Sequence, residues 1–175
     1  MQEDLKLMQN FKRGDKRSFE ELVIKYRECA ISFCQSFVHD YHIAEDIAQE
    51  SFAYIYVYKE RYNEKYKFKT YLFTILRNKS IDYIRKNHDI PLDRIPENTA
   101  PQEVENIILQ KEQRKIIKEK INILKDDYKT IIYLIDFQEF SYKDAAKIMG
   151  KSLIQTKVLI YRARQKLKGL LKEEG

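Results

Sequence analysis

Apolar residues recur every three to four positions along most of this chain, and that spacing predicts α-helices. In the first half it predicts a helix that starts at a capping box from Ser18 to Glu21, then helices over about residues 42–60 and 70–86. A short helix is predicted before them, over about residues 5–12. Strict apolar–polar alternation does not persist anywhere, so the sequence predicts an all-α fold.

Residues 88–103 interrupt this pattern, because they are acidic and have no periodicity. The prolines of the chain all fall there: Pro91, Pro96 and Pro101. Such a composition is typical of an extended tether. The sequence therefore predicts two small helical domains, residues 1–87 and 104–175, joined by a flexible linker.

The second domain is predicted to begin with a long helix over about residues 104–124 and an apolar helix over 127–137, capped by Asp126. Two short helices with a tight turn at Gly150 follow, and glycine suits the left-handed residue that ends a helix.

The chemistry around that turn is typical of a DNA-binding helix-turn-helix. Ser141 can cap the first helix, and Ser152 with Gln155 forms a capping box at the start of the second. The outward face of the second helix carries polar, aromatic and basic side chains: Gln155, Lys157, Tyr161, Arg162 and Gln165. A helix of this kind fits a DNA major groove. The alternative is a basic, solvated helix that closes an ordinary bundle.

The charge distribution supports a polyanionic partner. The net charge is +6, composed of +3 over residues 1–87, −4 over 88–110 and +7 over 111–175. Two basic blocks separated by an acidic one suggest two places that hold a phosphate backbone.

Other classes of protein receive little support from the composition. No apolar run is long enough to span a bilayer and the N-terminus lacks a signal-peptide pattern, so we expect a cytoplasmic protein without membrane insertion. Cys29 and Cys34 are too few and wrongly spaced for a zinc site, and we expect buried, reduced thiols. No metal, cofactor or catalytic residue is predicted.

An acidic patch is predicted on the second helix, where Asp46, Gln49 and Glu50 share one exposed face. A carboxylate–amide–carboxylate surface suits docking onto a basic protein. A solvated helix face is the plain alternative. A metal pair in a nucleic-acid-processing enzyme is a third possibility, but no histidine or further carboxylate lies nearby on that face.

An aromatic loop, residues 62–71, interleaves rings with lysines. Lysines attract a phosphate chain, and exposed rings stack on bases released from a duplex. The candidate residues are Lys65, Tyr66, Lys67, Phe68, Lys69 and Tyr71. Alternatively, Phe68 and Tyr71 anchor the loop to the core.

The third helix then presents side chains suited to phosphate and base edges: Thr74, Arg77, Asn78 and Arg85.

These motifs closely resemble those of the bacterial extracytoplasmic-function sigma factors. In the first domain the resemblance lies in residues 44–52, 68–78 and 81–85, and in the second domain in residues 124–140 and 141–167. The motif blocks follow one another in the family's order and cover nearly the whole chain.

The resemblance implies a role for each surface. The acidic patch corresponds to the contact with the clamp helices of the β′ subunit of core RNA polymerase, and the β flap is a further expected contact. The aromatic loop and the third helix correspond to the surface that holds the −10 promoter DNA. The residues corresponding to −35 recognition are Ser152, Gln155, Lys157, Val158, Tyr161, Arg162 and Arg164. The resemblance also makes an anti-sigma partner possible.

The chain departs from the family's pattern at several positions. Tyr71 stands where the family often has tryptophan, and Lys125 stands where a proline commonly follows Leu124. In the recognition helix the family usually has small residues and an arginine, whereas this chain has Ile154, Val158 and Leu159. If Val158 faces the groove it can meet thymine methyl groups; otherwise it packs against another helix. A stand-alone helix-turn-helix regulator that binds duplex DNA is the alternative function.

Overall fold

The fold is that of a computed structural model, which describes residues 2–87 and 108–172. Both stretches are helical and contain no strand, as the sequence predicts. The predicted linker, residues 88–103, and the first positions of the predicted long helix, residues 104–107, lie outside the described residues.

The N-terminal unit is built from four α-helices and one short turn of 3₁₀-helix at Lys59–Arg61. The helices are α1 (Gln2–Lys12), α2 (Lys16–Val38), α3 (Tyr41–Val57) and α4 (Phe68–Lys86). Their apolar stripes meet in one core, whose largest fully buried side chains include Leu22, Phe33, Ile55, Leu72 and Phe73. Helix α4 packs against both α2 and α3, and this packing fixes the aromatic loop that precedes it.

The start of α2 differs from the prediction. The helix begins at Lys16 and not at a capping box from Ser18, because the Asp15 side chain accepts a hydrogen bond from the backbone N–H of Arg17. Ser18 is buried in the first turn, where its hydroxyl donates to the Asp15 carboxylate at 2.7 Å. A better cap three residues earlier displaced the predicted one.

The C-terminal unit contains α5 (Ile108–Ile123), α6 (Asp126–Ile132), α7 (Tyr142–Met149) and α8 (Leu153–Lys172). A π-helical turn at Tyr133–Phe137 extends α6, in place of the regular helix that the periodicity predicts. The expected cap at Asp126 was wrong, because Asp126 is the first helical residue and Lys125 precedes it without a side-chain cap.

Helices α7 and α8 form the predicted helix-turn-helix. The Ser141 hydroxyl oxygen accepts from the backbone N–H of Asp144 at 3.1 Å, which caps α7. Ser152 and Gln155 form the reciprocal capping box, with hydrogen bonds of 2.9 and 3.1 Å. Gly150 adopts φ 63°, ψ 33°, the left-handed conformation that ends α7. The orientation of α8 is therefore set by local turn chemistry.

Two glycine substitutions are expected to change stability in opposite directions. A Cβ added at Gly150 or at Gly169 would meet no atom within 4 Å, so packing is not the difference between them. Gly150→Ala forces alanine into the left-handed region and lowers the free energy of unfolding by about 1 kcal/mol. Gly169→Ala lies inside α8 and raises it by about 0.5–1 kcal/mol. Urea unfolding of both variants checks the prediction; equal effects would contradict it.

The two units contact each other directly. Helix α4 of the N-terminal unit packs against α7 of the C-terminal unit, and the buried side chains of both units form one continuous cluster. The rings of Phe73 and Phe140 meet edge to face with centroids 5.0 Å apart. The surface that the units share is the one that carries the candidate −10 residues.

Candidate functional site

The acidic patch lies on the exposed side of α3. Asp46, Gln49 and Glu50 are all exposed, while Ala44, Ile47, Ala48 and Ser51 occupy the opposite, buried side of the helix. The Glu50 carboxylate pairs with the Lys79 ammonium of α4 at 3.2 Å. Asp46 and Glu50 both border a shallow groove of about 370 Å³ between α3 and α4. The patch is thus accessible, and among the described residues only its Glu50 carboxylate forms an ion pair.

Within the aromatic loop the rings divide into buried and exposed ones. Phe68 is 1% exposed and packs against the rings of Tyr26 and Tyr62, with centroids 5.6 and 6.2 Å away. It anchors the loop, which is the alternative that the sequence left open. Tyr71 is half-buried beside Tyr62, and burial raises its pKa. Tyr66 is 45% exposed, more than the other rings of the loop.

Hydrogen bonds hold the loop in one conformation. The Tyr62 hydroxyl donates to the carbonyl of Tyr66 at 2.7 Å, and the Asn63 side chain accepts from the backbone N–H of Lys65 at 2.9 Å. Lys65 and Lys67, the neighbours of Tyr66 in the sequence, are both exposed. A preformed loop of this kind loses little conformational freedom on binding a ligand.

Asp144 of α7 occupies the cationic start of α4. Its carboxylate accepts from the Lys67 ammonium at 2.8 Å and from the Thr70 hydroxyl at 3.2 Å. Burial by itself would raise the pKa of Asp144, but the hydrogen bonds from Lys67, Ser141 and Thr70 outweigh it, and the pKa lies below its ordinary value. The C-terminal unit thus contacts the N-terminal unit through a charged carboxylate, that of Asp144.

Three further contacts bind the same loop to the C-terminal unit. The Lys69 ammonium donates to the carbonyl of Gln138 at 2.7 Å and lies 4.6 Å from the centre of the Phe140 ring. Burial lowers the pKa of Lys69. The Lys147 ammonium lies over the Tyr66 ring. The candidate base-stacking ring and two of the candidate lysines are therefore engaged by the C-terminal unit.

On the outward face of α4, two of the candidate DNA-binding side chains also face the C-terminal unit. Arg77 and Arg85 line a cleft of about 230 Å³ whose other side carries Asp126 and Asp127 of α6. The Nε atom of Arg77 is buried there with no hydrogen-bond partner among the described residues. Arg85 is exposed and lies 4.0 Å from Asp82. The remaining two candidates on this face are the half-buried Thr74, which donates to the carbonyl of its own helix at Thr70, and the exposed Asn78.

On α8 the structure brings most of the −35 candidates onto one exposed face. Lys157, Val158, Tyr161 and Arg162 are all exposed, opposite the buried Thr156, Ile160 and Ala163. Ser152 and Gln155 lie at the N-terminal end of the helix, where their side chains form the capping box.

Arg164 is also exposed, but it is paired within its own unit. Its guanidinium makes two hydrogen bonds to the Asp136 carboxylate at the end of the π-helical turn, one of them between Nε and Oδ2 at 3.2 Å. An arginine held by two hydrogen bonds to one carboxylate is fixed in place. The pair therefore joins α8 to the π-helical turn at the surface of the same unit.

Sequence reasoning missed the residues that join the two units: Thr70, Gln138, Phe140, Asp144 and Lys147. The local sequence assigns no partner to Asp144, and Thr70 is predicted only as part of the aromatic loop. The complementary signs of Lys67 and Asp144 were the one available signal, and 77 positions of sequence separate them.

Two other properties bear on the site. None of the helices in the part of the chain that the structure describes is long and apolar enough to cross a bilayer. Within residues 2–87 and 108–172, no three His, Cys, Asp or Glu side chains lie together as metal ligands would. Asp46 and Glu50 accordingly have no third ligand among the described residues.

Sequence profiles of known families match both units. The profile "Sigma-70 region 2" matches residues 22–89, which include the acidic patch, the aromatic loop and α4. The profile "Sigma-70, region 4" matches residues 114–167, which include the helix-turn-helix.

Individual proteins resemble the chain over most of its length. It is 31% identical to the ECF RNA polymerase sigma factor SigM of Bacillus subtilis over 155 residues, 87% of this chain and 94% of that protein. It is 30% identical to SigW of the same organism, over 96% of each chain.

The solved structure of the sigma factor RpoE of Bartonella quintana, in complex with the anti-sigma factor NepR, superposes with a TM-score of 0.73 at 25% identity. The match covers 89% of this chain and 98% of that one. The structure of CnrH in complex with the cytosolic domain of CnrY shares the fold, with a TM-score of 0.77 at 22% identity over 99% of each chain. The chain belongs to the extracytoplasmic-function sigma factors of RNA polymerase.

Proposed function

We propose that the chain directs core RNA polymerase to specific promoters and assists DNA melting through three separate surfaces. The acidic patch on α3 binds the clamp helices of the β′ subunit. The aromatic loop and α4 hold the opened −10 DNA, and α8 reads the −35 DNA as duplex. The C-terminal unit also contacts the β flap.

The observation that carries this proposal is the presence of an accessible acidic patch beside a cationic surface on the same small helical unit. A basic surface alone would fit any DNA-binding protein. The carboxylates of Asp46 and Glu50 would repel DNA phosphates, so the patch suits a protein partner, while the lysines and arginines of α4 suit DNA. A unit that must bind a polymerase and DNA at the same time needs both.

The −10 surface is covered in this conformation. Lys67, Lys69 and Thr70 make their hydrogen bonds to Asp144 and Gln138, and the Tyr66 ring lies under Lys147. DNA that uses these groups must displace the C-terminal unit. Binding therefore requires the two units to separate, and any partner that binds only the separated form shifts the equilibrium toward it.

Several further properties follow from this role. The chain makes and breaks no covalent bond, since its work is to stabilise opened DNA and to fix the polymerase on it. Its place is the cytoplasm, with the polymerase. A protein that stabilises the contact between α4 and α7 would act as an anti-sigma factor, because it would keep the −10 surface covered.

Transcription with purified components tests the proposal directly. Core polymerase with the purified chain should give run-off transcripts from a subset of a library with randomised upstream sequences, and core polymerase alone should not. The alternative is a stand-alone regulator, which the exposed α8 face would also permit. Gel shifts on a selected promoter separate the two functions: tight, specific binding by the free protein, unchanged by core polymerase, supports the regulator and contradicts the proposal.

Arg162→Ala is expected to weaken promoter binding without changing promoter choice. Arg162 is exposed on the edge of the α8 face, where a guanidinium reaches phosphate. Loss of one phosphate contact lowers affinity for all sequences and reduces the slope of log affinity against log salt by about 1. Salt titrations of holoenzyme binding measure the slope. Arg13→Ala, an exposed arginine between α1 and α2, is the control that should leave it unchanged. A change in the preferred −35 sequence would mean that Arg162 reads a base.

A further inference from the structure

The exposed face of α8 has an apolar centre. Ile154 is 76% exposed, Val158 is 42% exposed and Tyr161 is 65% exposed. Their spacing of four and three residues places them in one line along the helix, which we call the apolar stripe. The stripe is not part of the hydrophobic core, because α8 packs on its unit through the opposite side, where Thr156, Ile160 and Ala163 are buried.

Cationic and polar side chains border the stripe on both sides. At the helical spacing, Lys157 lies along one edge, and Arg162 with Gln155 lies along the other. All three are exposed. A stripe that served an apolar protein groove would place these charges against an apolar rim. On DNA they fall toward the two phosphate backbones that flank the major groove, while the stripe meets the groove floor.

The dimensions agree with that placement. From Ile154 to Tyr161 the helix rises by about 10 Å, which spans about three base-pair steps. The group on the floor of the major groove that is complementary to an isoleucine or valine side chain is the C5 methyl of thymine. Aliphatic side chains have no hydrogen bond to offer to guanine or to cytosine.

From these observations we infer that Ile154 and Val158 determine −35 specificity by contacting thymine methyl groups in adjacent base pairs of duplex DNA. This inference rests on the proposed function of α8. It names the substrate more closely: a −35 motif in which thymine on either strand occupies neighbouring positions facing the N-terminal half of α8. Tyr161 extends the apolar contact along the same groove.

Replacing thymine by deoxyuridine tests the contact, because the two bases pair identically and differ only in the methyl group. Promoters selected by the holoenzyme from a randomised library are resynthesised with deoxyuridine at single −35 positions, and binding is measured by competition. We expect the wild-type holoenzyme to lose about four-fold in affinity for each contacted methyl, the effect of one buried methylene-sized group.

Alanine variants of the two stripe residues should lose the preference for thymine over deoxyuridine. Ile154→Ala and Val158→Ala should each bind the thymine duplex about four-fold more weakly and become indifferent to one methyl position. Ile24→Ala is the matched control, since Ile24 is 78% exposed on α2, far along the chain from α8, and its loss should leave the methyl effect intact. Far-UV circular dichroism checks that the variants fold.

The inference is overturned if the wild-type holoenzyme binds thymine and deoxyuridine promoters equally, or if both variants keep the full methyl effect. Loss of core-polymerase affinity in the variants, with unchanged DNA discrimination, would assign the stripe to a protein partner instead. A holoenzyme that selects no upstream sequence at all would overturn the proposed function and this inference together. Indifference to the methyl group overturns the inference alone.

Discussion

Glu50→Lys should abolish binding to core RNA polymerase while the protein remains folded. Glu50 is exposed on α3, and its ion pair with Lys79 is a surface pair that contributes little to stability. At the interface, however, reversal places like charges opposite each other, which costs several kcal/mol. We therefore expect affinity for core polymerase to fall about hundred-fold or more, measured by co-sedimentation or by fluorescence anisotropy.

Two controls separate docking from structure. Glu21→Lys reverses another exposed acid, on α2, and should leave binding unchanged. The double variant Glu50→Lys with Lys79→Glu restores an ion pair across the groove between α3 and α4 but leaves the acidic patch without the Glu50 carboxylate. It should remain unable to bind. Recovery of binding by the charge swap would show that the pair with Lys79, and not the patch, was what mattered.

The helices and the helix-turn-helix could be predicted because local chemistry determines them. Gly150 requires no distant contact to end α7, and Ser152 with Gln155 caps α8 from within four residues. The wrong prediction for the start of α2 also has a local cause. Ser18 had the right partner three residues on, but Asp15 provides a stronger acceptor at the same end of α2.

Phe68 illustrates the limit of pattern reasoning. An aromatic ring between lysines is compatible both with base stacking and with anchoring, and only the positions of Tyr26 and Tyr62 decide between them. Those rings come from a different helix and from the start of the loop. Tyr66, two positions earlier, is the more exposed ring, and Lys147 lies over it in this conformation.

The contact between the units could not be predicted from periodicity. Asp144 lies at the first turn of α7, where an acid is favourable for the helix itself, so its presence there already had a sufficient reason. Nothing in the local sequence indicates that the same carboxylate also binds Lys67 and Thr70. The Arg164–Asp136 pair is a similar case, because an arginine in a recognition helix is first interpreted as a DNA contact. Long-range pairing gives such residues a second role that the sequence alone does not reveal.

Asp144→Lys should open the contact between α4 and α7 and expose the −10 surface. It removes the hydrogen bonds to Lys67 and Thr70 and places a cation beside Lys67. The cap of α7 survives, because the Ser141 hydroxyl accepts from the backbone N–H at position 144. Loss of about 2 kcal/mol from the closed form raises the affinity of the free protein for single-stranded −10 DNA by up to about thirty-fold. Fluorescence anisotropy with an oligonucleotide of the −10 motif measures this change.

Small-angle scattering in solution measures whether the Asp144→Lys variant opens. A closed chain of this length has a radius of gyration of about 16 Å, and opening increases it. The double variant Asp144→Lys with Lys67→Asp restores the ion pair in the opposite sense, and an acid before α4 is also a favourable cap. It should return the chain to the compact form. An expanded Asp144→Lys variant with unchanged DNA affinity would contradict the requirement for separation, because opening the contact would then not free the groups that bind −10 DNA.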